Sequence, residues 1–415
     1  MKTLSKLALL GSLYLAQGLP FGFFGNALPA LMRSRGVELS QISLTYLLAA
    51  PWALKFLWAP YVDKHGSSRI GRRKTWILPL QLASVVWSLA LAYIDPAWGL
   101  HAMMVALFLS NLTAATQDIA TDGLAVEMLD PAERGHGNGV QVAAYRVGMI
   151  LGGGALLIVF DHLGWKITFV SMAALLALST VPVLFHRERP PPPPVAKAKE
   201  PSWIAVALRP RMGAWLLVLA VYKLGESLGY GMVKPLLIDR GLSLSQIGWI
   251  IGTVGFFAGL LGAVIGGALA GRLGRGRALM AAGVLQIVGV AAYILPALSI
   301  GGVPVIVGVS ALEHLASGVA TVCLFTVMMD ACTEGAAATE YTLQASVVVV
   351  ATGAAAALSG FSAKRLGYVG HFGVSAALSA LGLVYTAWAW LTARVPPHET
   401  GPDARPGDEG TPIGV

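Results

Sequence analysis

Charged side chains stand inside otherwise apolar stretches of this sequence, and two of them form a closely spaced acidic pair. Asp118 and Asp122 follow the apolar run MMVALFLSNLTAAT and are four residues apart, so a helix would place both on one face. Arg146 opens the next apolar run. If these runs cross a membrane, the three charges are costly unless they pair, face a protein interior or line water. The pattern is typical of a substrate or ion pathway; the alternative is a structural ion-pair cluster that locks helices together.

A lysine also lies inside an apolar run. Lys55 stands in LAAPWALKFLWAP, eight residues before Asp63, which is roughly 12 Å along a helix. Its long side chain could therefore extend to the membrane interface. It could equally pair with the acidic residues and help to hold an anionic substrate. Both interpretations stay open at this point.

Two further groups of charges occur in apolar runs of the second half. Lys223 and Glu226 are three residues apart and can share a helix face, either as a self-contained pair that lowers the cost of insertion or as part of a site. Glu313 is a second candidate for a proton-coupling site after the acidic pair, because a membrane carboxylate can load and release a proton. His314 points about 100° away on a helix, and we interpret it as a packed histidine and not as a coupling residue.

Amide and aromatic side chains supply candidates for lining a bulky, partly aromatic ligand. Glycines and a proline interrupt the first apolar run between two of the amides, which would let a ligand approach the backbone. The lining candidates are Gln17, Asn26, Gln117, Tyr145 and Tyr222.

The composition excludes an ordinary soluble domain. Hydrophobic residues make up 56% of the chain and charged residues 12%, with a mean hydropathy of +0.69, whereas soluble domains carry about 25% charged residues. The net charge of +8 comes from basic residues in short loops, a pattern of membrane topology and not of nucleic-acid binding. The two cysteines give no zinc spacing. The sequence contains no phosphate loop, nucleophile elbow or metal-ligand cluster, so we expect no enzymatic activity, no cofactor and no metal site.

Apolar runs of about 20 residues recur along the chain and predict an all-α membrane protein with twelve transmembrane helices. A linker with five consecutive prolines divides them into two bundles of six. The predicted domains are an N-terminal six-helix bundle (1–186), a Pro-rich cytoplasmic linker (187–211), a C-terminal six-helix bundle (212–394) and a disordered cytoplasmic tail (395–415). The predicted spans are 7–31, 41–62, 75–94, 101–126, 139–160, 165–185, 212–233, 246–269, 277–298, 303–328, 341–361 and 372–393.

The distribution of lysine and arginine predicts the orientation. With an even number of spans both termini lie on one side, and the segments on that side hold 19 basic residues against seven in the opposite loops. Positive charge stays in the cytoplasm, so we expect both termini to be cytoplasmic. The first apolar run follows Lys2 and Lys6 without a clean cleavage site, and we interpret it as an uncleaved span.

The two halves are related by an internal repeat. RGVELSQIS at 35–43 matches RGLSLSQIG at 240–248, an offset of 205 residues, and a basic loop keeps the same offset. In both halves this segment follows the first span in the same orientation. Parallel six-span halves joined by a linker are the arrangement of the major facilitators, which bind substrate near the midplane between the halves.

The loop after the second span, PYVDKHGSSRIGRRK, resembles the major facilitator pattern of an acidic residue followed by a basic cluster. Asp63 would take the acidic role, with Arg72 and Arg73 in the basic part. We expect these residues to form a cytoplasmic gating network that breaks and re-forms as the protein changes state. Positive-inside topology alone would explain the basic residues but not Asp63.

Several motifs narrow the resemblance to one branch of this superfamily. The chain resembles the muropeptide permeases and the acetyl-CoA carriers, and its twelve-span length and opening sequence are most similar to the permeases for the siderophores rhizobactin and pyochelin. The motifs are LKFLWAPYVD (54–63), QDIATD (117–122), LDPAERG (129–135), YRVGM (145–149), YKLGE (222–226) and the opening LYLAQGLPFGFFGNALPALMR.

The paired halves, the linker, the Asp63 loop and the buried charges predict a secondary transporter, expected to be a monomer, that works by alternating access and couples substrate to protons. The resemblance implies the bacterial inner membrane as its location and import as its direction. The leading prediction is import of a siderophore or ferric siderophore. The alternatives are an anhydromuropeptide permease of cell-wall recycling, or transport of another solute in the manner of the acetyl-CoA carriers. Any iron would be bound by the ligand and not by the protein.

Overall fold

The computed structural model describes residues 3–24, 50–67, 69–93, 100–188, 202–333 and 336–395. These residues are almost entirely helical, and no β-strand occurs among them. The predicted all-α fold is confirmed. Asn26, the first copy of the repeated nonamer (35–43), most of the predicted linker and nearly all of the predicted tail lie outside the described residues.

The α-helices are numbered here in chain order. They are α1 (Thr3–Gly22), α2 (Ala50–Leu54), α3 (Ala59–Lys64), α4 (Lys74–Tyr93), α5 (Leu100–Met128), α6 (Arg134–Ile150), α7 (Leu156–Phe185), α8 (Trp203–Ala207), α9 (Met212–Tyr222), α10 (Leu224–Tyr230), α11 (Val233–Asp239), α12 (Leu244–Ile247), α13 (Gly255–Arg272), α14 (Arg275–Ala292), α15 (Ile294–Ala297), α16 (Gly302–Asp330) and α17 (Ala337–Leu391). Lys55–Leu57 forms a 3-10 turn, and Leu151–Ala155 and Gly248–Val254 are π-helical.

Each of the twelve predicted spans overlaps helical residues, and seven helical segments of the described ranges are long and apolar enough to cross a membrane. Some predicted spans run on into the next. Left-handed glycines interrupt the helical path inside α7 at Gly164 (φ 77°) and inside α17 at Gly367 (φ 66°). Both glycines fall between two predicted spans. Glycine adopts this conformation without the steric cost of a Cβ, so a single residue suffices for the turn between the two spans.

Two regions differ from the sequence-based expectation in their local structure. The predicted seventh span (212–233) contains two helices, α9 and α10, and ends where α11 begins, with a break at Lys223 and another at Gly231 and Met232. The predicted linker contains the short helix α8, because the chain between Pro201 and Pro210 is mostly apolar and has no proline to interrupt helical hydrogen bonds.

Backbone contacts divide the chain into two compact units. Unit 1 comprises residues 1–128, 143–203 and 333–346. Within it α7 packs against α1 and α4, and α4 packs against α5. These contacts bury an apolar core that includes Leu19, Phe23, Phe169, Met172 and Leu176.

Unit 2 comprises residues 129–142, 204–332 and 347–415. Within it α16 packs against α13 and α14. The rings of Tyr293 and Phe372 stack in its core, with centroids 5.2 Å apart. The predicted domain boundaries near residues 186 and 212 remain a prediction.

Glycines bring α1 very close to the end of α6 and the π-helix after it. A Cβ at Gly22 would overlap the carbonyl oxygen of Met149, and a Cβ at Gly152 would overlap that of Leu19. Gly154, in the same π-helix, has no atom within 4 Å of such a Cβ. Small residues of this kind let membrane helices come into backbone contact, where van der Waals packing drives their association.

We therefore expect Gly152→Ala to destabilise the protein by about 1–3 kcal/mol, because the added methyl overpacks the contact with Leu19. Gly154→Ala is the matched control and should shift stability by no more than about 1 kcal/mol, in the stabilising direction. Denaturant unfolding in detergent, followed by tryptophan fluorescence, measures both. Equal losses in the two variants would contradict the close approach at Gly152.

Candidate functional site

Four buried side chains form one hydrogen-bonded and ion-paired cluster in unit 1. Lys55 lies on the 3-10 turn between α2 and α3, and its ammonium bonds to Asp118 Oδ2 of α5. The same ammonium is 3.7 Å from Asp122 Oδ2, one helical turn further along α5. Tyr14 of α1 donates its hydroxyl hydrogen to the other oxygen of Asp122 (2.7 Å). We call these four residues the acidic cluster.

The acidic cluster is closed off from solvent. The exposed fractions of Lys55, Asp118, Asp122 and Tyr14 are 3%, 7%, 3% and 2%. The α-helix ends at Leu54, and the tighter turn after it carries the lysine to the carboxylates. The Lys55 side chain thus ends on the acidic residues. Its part in holding an anionic substrate remains a prediction.

Aromatic rings lie beside the acidic cluster. The Lys55 ammonium is 5.7 Å from the centroid of the Trp52 ring, a distance at which the ring face attracts a cation. Phe21 contacts both Trp52 (6.1 Å between centroids) and Tyr145 (5.7 Å). Tyr145, one of the predicted lining residues, is thus part of an aromatic group near the buried charges.

The remaining candidates of unit 1 occupy different environments. Arg146 is half-buried on α6, and Gln117 is buried next to Asp118 in sequence. Gln17 is 2% exposed, and its amide atoms have no hydrogen-bond partner within the described ranges. A buried amide without a partner is costly, so Gln17 has hydrogen-bonding capacity to offer a ligand.

The three predicted gating residues also come together in unit 1, with two partners that the sequence did not reveal. Arg73 binds Asp63 (2.6 Å) and Glu127 (2.5 Å), and Arg72 binds Glu127 as well (2.5 Å). The second oxygen of Asp63 accepts hydrogen bonds from the backbone amide (2.6 Å) and the hydroxyl of Thr339, at the start of α17. We call these five residues the gating network.

Arg73 is the centre of the gating network and is fully buried. Burial acts to lower the pKa of its guanidinium, but the carboxylates of Glu127 and Asp63 outweigh this and raise that pKa above its ordinary value. The space for the guanidinium depends on Gly123. A Cβ there would lie 2.7 Å from Arg73 Cζ and 2.8 Å from Ala338 Cβ, so this glycine lets Arg73 and α17 approach α5.

Unit 2 contains the second predicted pair. Lys223 lies at the break between α9 and α10, and its ammonium is 2.8 Å from Glu226 Oε2. It also donates to Thr321 (2.8 Å) and Ser317 (3.4 Å) of α16. The pair is therefore tied to a second helix and is more than a self-contained pair on one helix face.

Tyr222 has its polar atoms engaged within unit 2. Its hydroxyl donates to the carbonyl of Leu279 (2.7 Å), and its own carbonyl accepts a hydrogen bond from Gln286 (2.9 Å). With 1% of its surface exposed, this predicted lining residue has the contacts of a packed side chain.

Glu313 and His314 are buried on α16. Glu313 Oε2 lies 2.9 Å from His314 Nδ1, which is also 2.8 Å from the carbonyl oxygen of Ser310. The ring of Tyr230 meets the His314 ring edge-on, with centroids 5.6 Å apart. The histidine is packed and hydrogen-bonded as expected, but the turn between adjacent residues does not keep it away from Glu313.

A further buried group in unit 2 was missed by the sequence analysis. Asp330, at the end of α16, binds Arg134 (2.8 Å) and Arg275 (2.5 Å). Arg275 also donates to the carbonyl oxygens of Ala270 (2.8 Å) and Pro131 (2.7 Å). We call Arg134, Arg275 and Asp330 the two-arginine cluster.

A signal for these missed residues exists in the repeat. Glu127 and Asp330 end corresponding apolar runs of the two halves, near the offset that relates the repeated nonamers. In the sequence, Arg134 and Arg275 look like ordinary basic residues of cytoplasmic loops. For this reason their pairing with Asp330 was not predicted. Thr339 gave no signal, because a hydroxyl among apolar residues is common in membrane helices.

Comparisons with known proteins agree with this architecture. The model of the Major Facilitator Superfamily matches residues 10–339 and 211–413. The anhydromuropeptide permease of Escherichia coli (strain K12) is 30% identical over 384 residues, which cover 91% of this chain and 78% of that protein. The human organic anion transporter MFSD10 has a similar structure (TM-score 0.72, 18% identity, 93% of this chain and 100% of that chain), as does the transporter FucP (TM-score 0.71, 12% identity, 92% and 98%). The chain therefore belongs to the Major Facilitator Superfamily of membrane transporters.

Proposed function

We propose that this protein is a proton-coupled importer of anhydromuropeptides in the bacterial inner membrane, with both termini in the cytoplasm. The acidic cluster carries the proposal of proton coupling, because it buries two carboxylates with one ammonium. The substrate rests on the similarity over nearly the whole chain to the E. coli anhydromuropeptide permease. The siderophore prediction gains no support from the comparisons, which favour this alternative.

The charge balance of the acidic cluster favours a shared proton. With both carboxylates ionised, Asp118, Asp122 and Lys55 carry one excess negative charge in a closed environment. An uncompensated charge away from water costs several kcal/mol, and a set of the same groups with no net charge costs less. One proton on the cluster removes the excess charge, and release of that proton requires water or a new partner to reach it. A coupled transporter needs this dependence of protonation on conformation.

The geometry favours Asp122 as the residue that takes the proton. The Lys55 ammonium contacts Asp118 directly but is 3.7 Å from Asp122. The closest partner of Asp122 is the neutral hydroxyl of Tyr14. Asp118 is therefore the counterion of the lysine, and Asp122 bears the charge that lacks full compensation. A proton on the Oδ2 atom of Asp122 leaves the hydrogen bond from Tyr14 to Oδ1 in place.

The other clusters take supporting roles in this proposal. The gating network of Asp63, Arg72 and Arg73 with its partners would stabilise one state of the transport cycle. Glu313 remains the second candidate for proton coupling. Lys223 with Glu226 offers an ammonium that binds hydroxyl and carboxylate oxygens, the kind of group that would hold an anionic substrate.

The substrate is tested by uptake of a radiolabelled anhydromuropeptide into spheroplasts that lack their own permease and express this chain. We expect accumulation that a protonophore abolishes, because a proton gradient of one pH unit supports about tenfold accumulation at one proton per substrate. An iron-55-loaded siderophore panel, with pyochelin-type and citrate-hydroxamate-type chelators, runs in parallel. Accumulation of a siderophore without uptake of the muropeptide would overturn the assignment of substrate.

The proton site is tested by Asp122→Asn, which mimics the protonated carboxyl. We expect this variant to lose accumulation but to keep exchange of labelled for unlabelled substrate, because the cluster is permanently neutral. Asp118→Asn also loses accumulation at neutral pH, but for a different reason: Lys55 then pairs with Asp122 and keeps it ionised. Its uptake should recover as the external pH falls. Normal accumulation by both variants, shown to be inserted, would refute the assignment.

The charge balance is tested separately by stability. We expect Lys55→Met to destabilise the protein by about 3–5 kcal/mol, because it leaves two buried carboxylates without their cation. Adding Asp118→Asn should recover most of that loss. The exposed Lys364 provides the control, since Lys364→Met should change stability by less than about 0.5 kcal/mol. Unfolding in detergent compares the variants, and no recovery in the double variant would contradict the pairing.

A further inference from the structure

Two residues of unit 1 cap the ends of neighbouring helices in a reciprocal way. Glu188, just after α7, accepts hydrogen bonds from the backbone amides of Arg73 (3.0 Å) and Lys74, at the start of α4. The Lys74 ammonium donates to the carbonyl oxygens of Leu184 (2.7 Å) and His186 (2.9 Å), at the end of α7. A carboxylate thus satisfies free amides at one helix start, and an ammonium satisfies free carbonyls at one helix end.

The turn before α4 is shaped to admit the Glu188 carboxylate. Gly71 has a φ of 113°, in the left-handed region that favours glycine. A Cβ at Gly71 would lie 2.6 Å from Glu188 Cδ and 2.7 Å from its Oε1, well inside contact distance. Gly71 therefore serves both the backbone conformation of the turn and the space for the carboxylate.

The amide that Glu188 holds belongs to the residue at the centre of the gating network. The Arg73 guanidinium binds Asp63 and Glu127, and Asp63 in turn accepts the amide of Thr339. Among the residues that the structure describes, Glu188 accepts hydrogen bonds from the amides of Arg73 and Lys74, and none joins it to Asp63 or Thr339. Its hydrogen bonds therefore act on them through the backbone of Arg73.

Glu188 also completes the charge balance of this region. Arg72, Arg73 and Lys74 are three successive cations, and the carboxylates of Asp63, Glu127 and Glu188 are three anions that bond to them or to their amides. If Glu188 were removed, three cations would face two carboxylates. The region beside the buried Arg73 would then carry an excess positive charge.

We propose that Glu188 is a positioning residue for the gating network: it fixes the backbone of Arg73 so that the guanidinium can hold Asp63 on the amide of Thr339. The functional meaning of this role rests on the proposed gating, but the role itself is structural and can be measured without substrate. A local helix cap is the competing explanation. It predicts effects at the start of α4 only.

Hydrogen–deuterium exchange of the full chain in detergent separates these explanations. In Glu188→Ala we expect exchange to become about tenfold faster for the amides in residues 71–77, since two charge-assisted hydrogen bonds are lost. We also expect at least about threefold faster exchange in residues 337–341, where Thr339 loses the well-placed acceptor of Asp63. Glu188→Gln keeps an acceptor oxygen and should give smaller changes in both segments.

The controls decide how the result is interpreted. Asp161→Asn removes an exposed carboxylate of α7 and should leave both segments unchanged. Faster exchange confined to residues 71–77 would overturn the positioning role and leave a local cap. Unchanged exchange in both segments would overturn the contact itself. If Glu188→Ala is unfolded, Glu188→Gln carries the test, and its failure to change residues 337–341 while changing 71–77 would also overturn the proposal.

Discussion

The cost of removing charge from water governs the arrangement of this protein. Several buried ionisable side chains are found with a partner of opposite charge: Asp63 with Arg73, Asp118 with Lys55, and Asp330 with Arg275. Such pairs seldom add much net stability, but breaking one leaves an expensive lone charge. The helices are consequently held in the relative positions that keep the pairs together, and a change of conformation must exchange partners and not merely separate them.

The pattern of the sequence was sufficient to predict the helices and to identify the charged residues that lie within them. Apolar runs predicted a helical membrane protein, and four-residue and three-residue spacing predicted the shared faces of Asp118 with Asp122 and of Lys223 with Glu226. The loop motif also identified Asp63 and Arg73. These features are local, because they depend on residues within one or two helical turns or within one loop.

Contacts between distant parts of the chain could not be predicted in the same way. Tyr14 and Asp122 are 108 residues apart, and Asp63 and Thr339 are 276 apart. Nothing in the spacing of a single helix specifies such partners, and Arg134 and Arg275 resemble the basic residues that orientation alone requires. The assignment of substrate has a related difficulty, since resemblance to a branch of the superfamily covers several ligands while the binding groups are few. The same charged residues would serve a transporter of muropeptides or one of siderophores.

The interrupted seventh span has a mechanical consequence. In a continuous helix, a change of direction breaks hydrogen bonds between successive turns. Between α9 and α10 this ladder is already interrupted at Lys223, whose side chain reaches Thr321 and Ser317 of α16. The angle between α9 and α10 can therefore change at Lys223, the charged residue that joins them. A small change in this angle displaces the Lys223 ammonium relative to α16. The position of this charge is therefore coupled to the bend between α9 and α10.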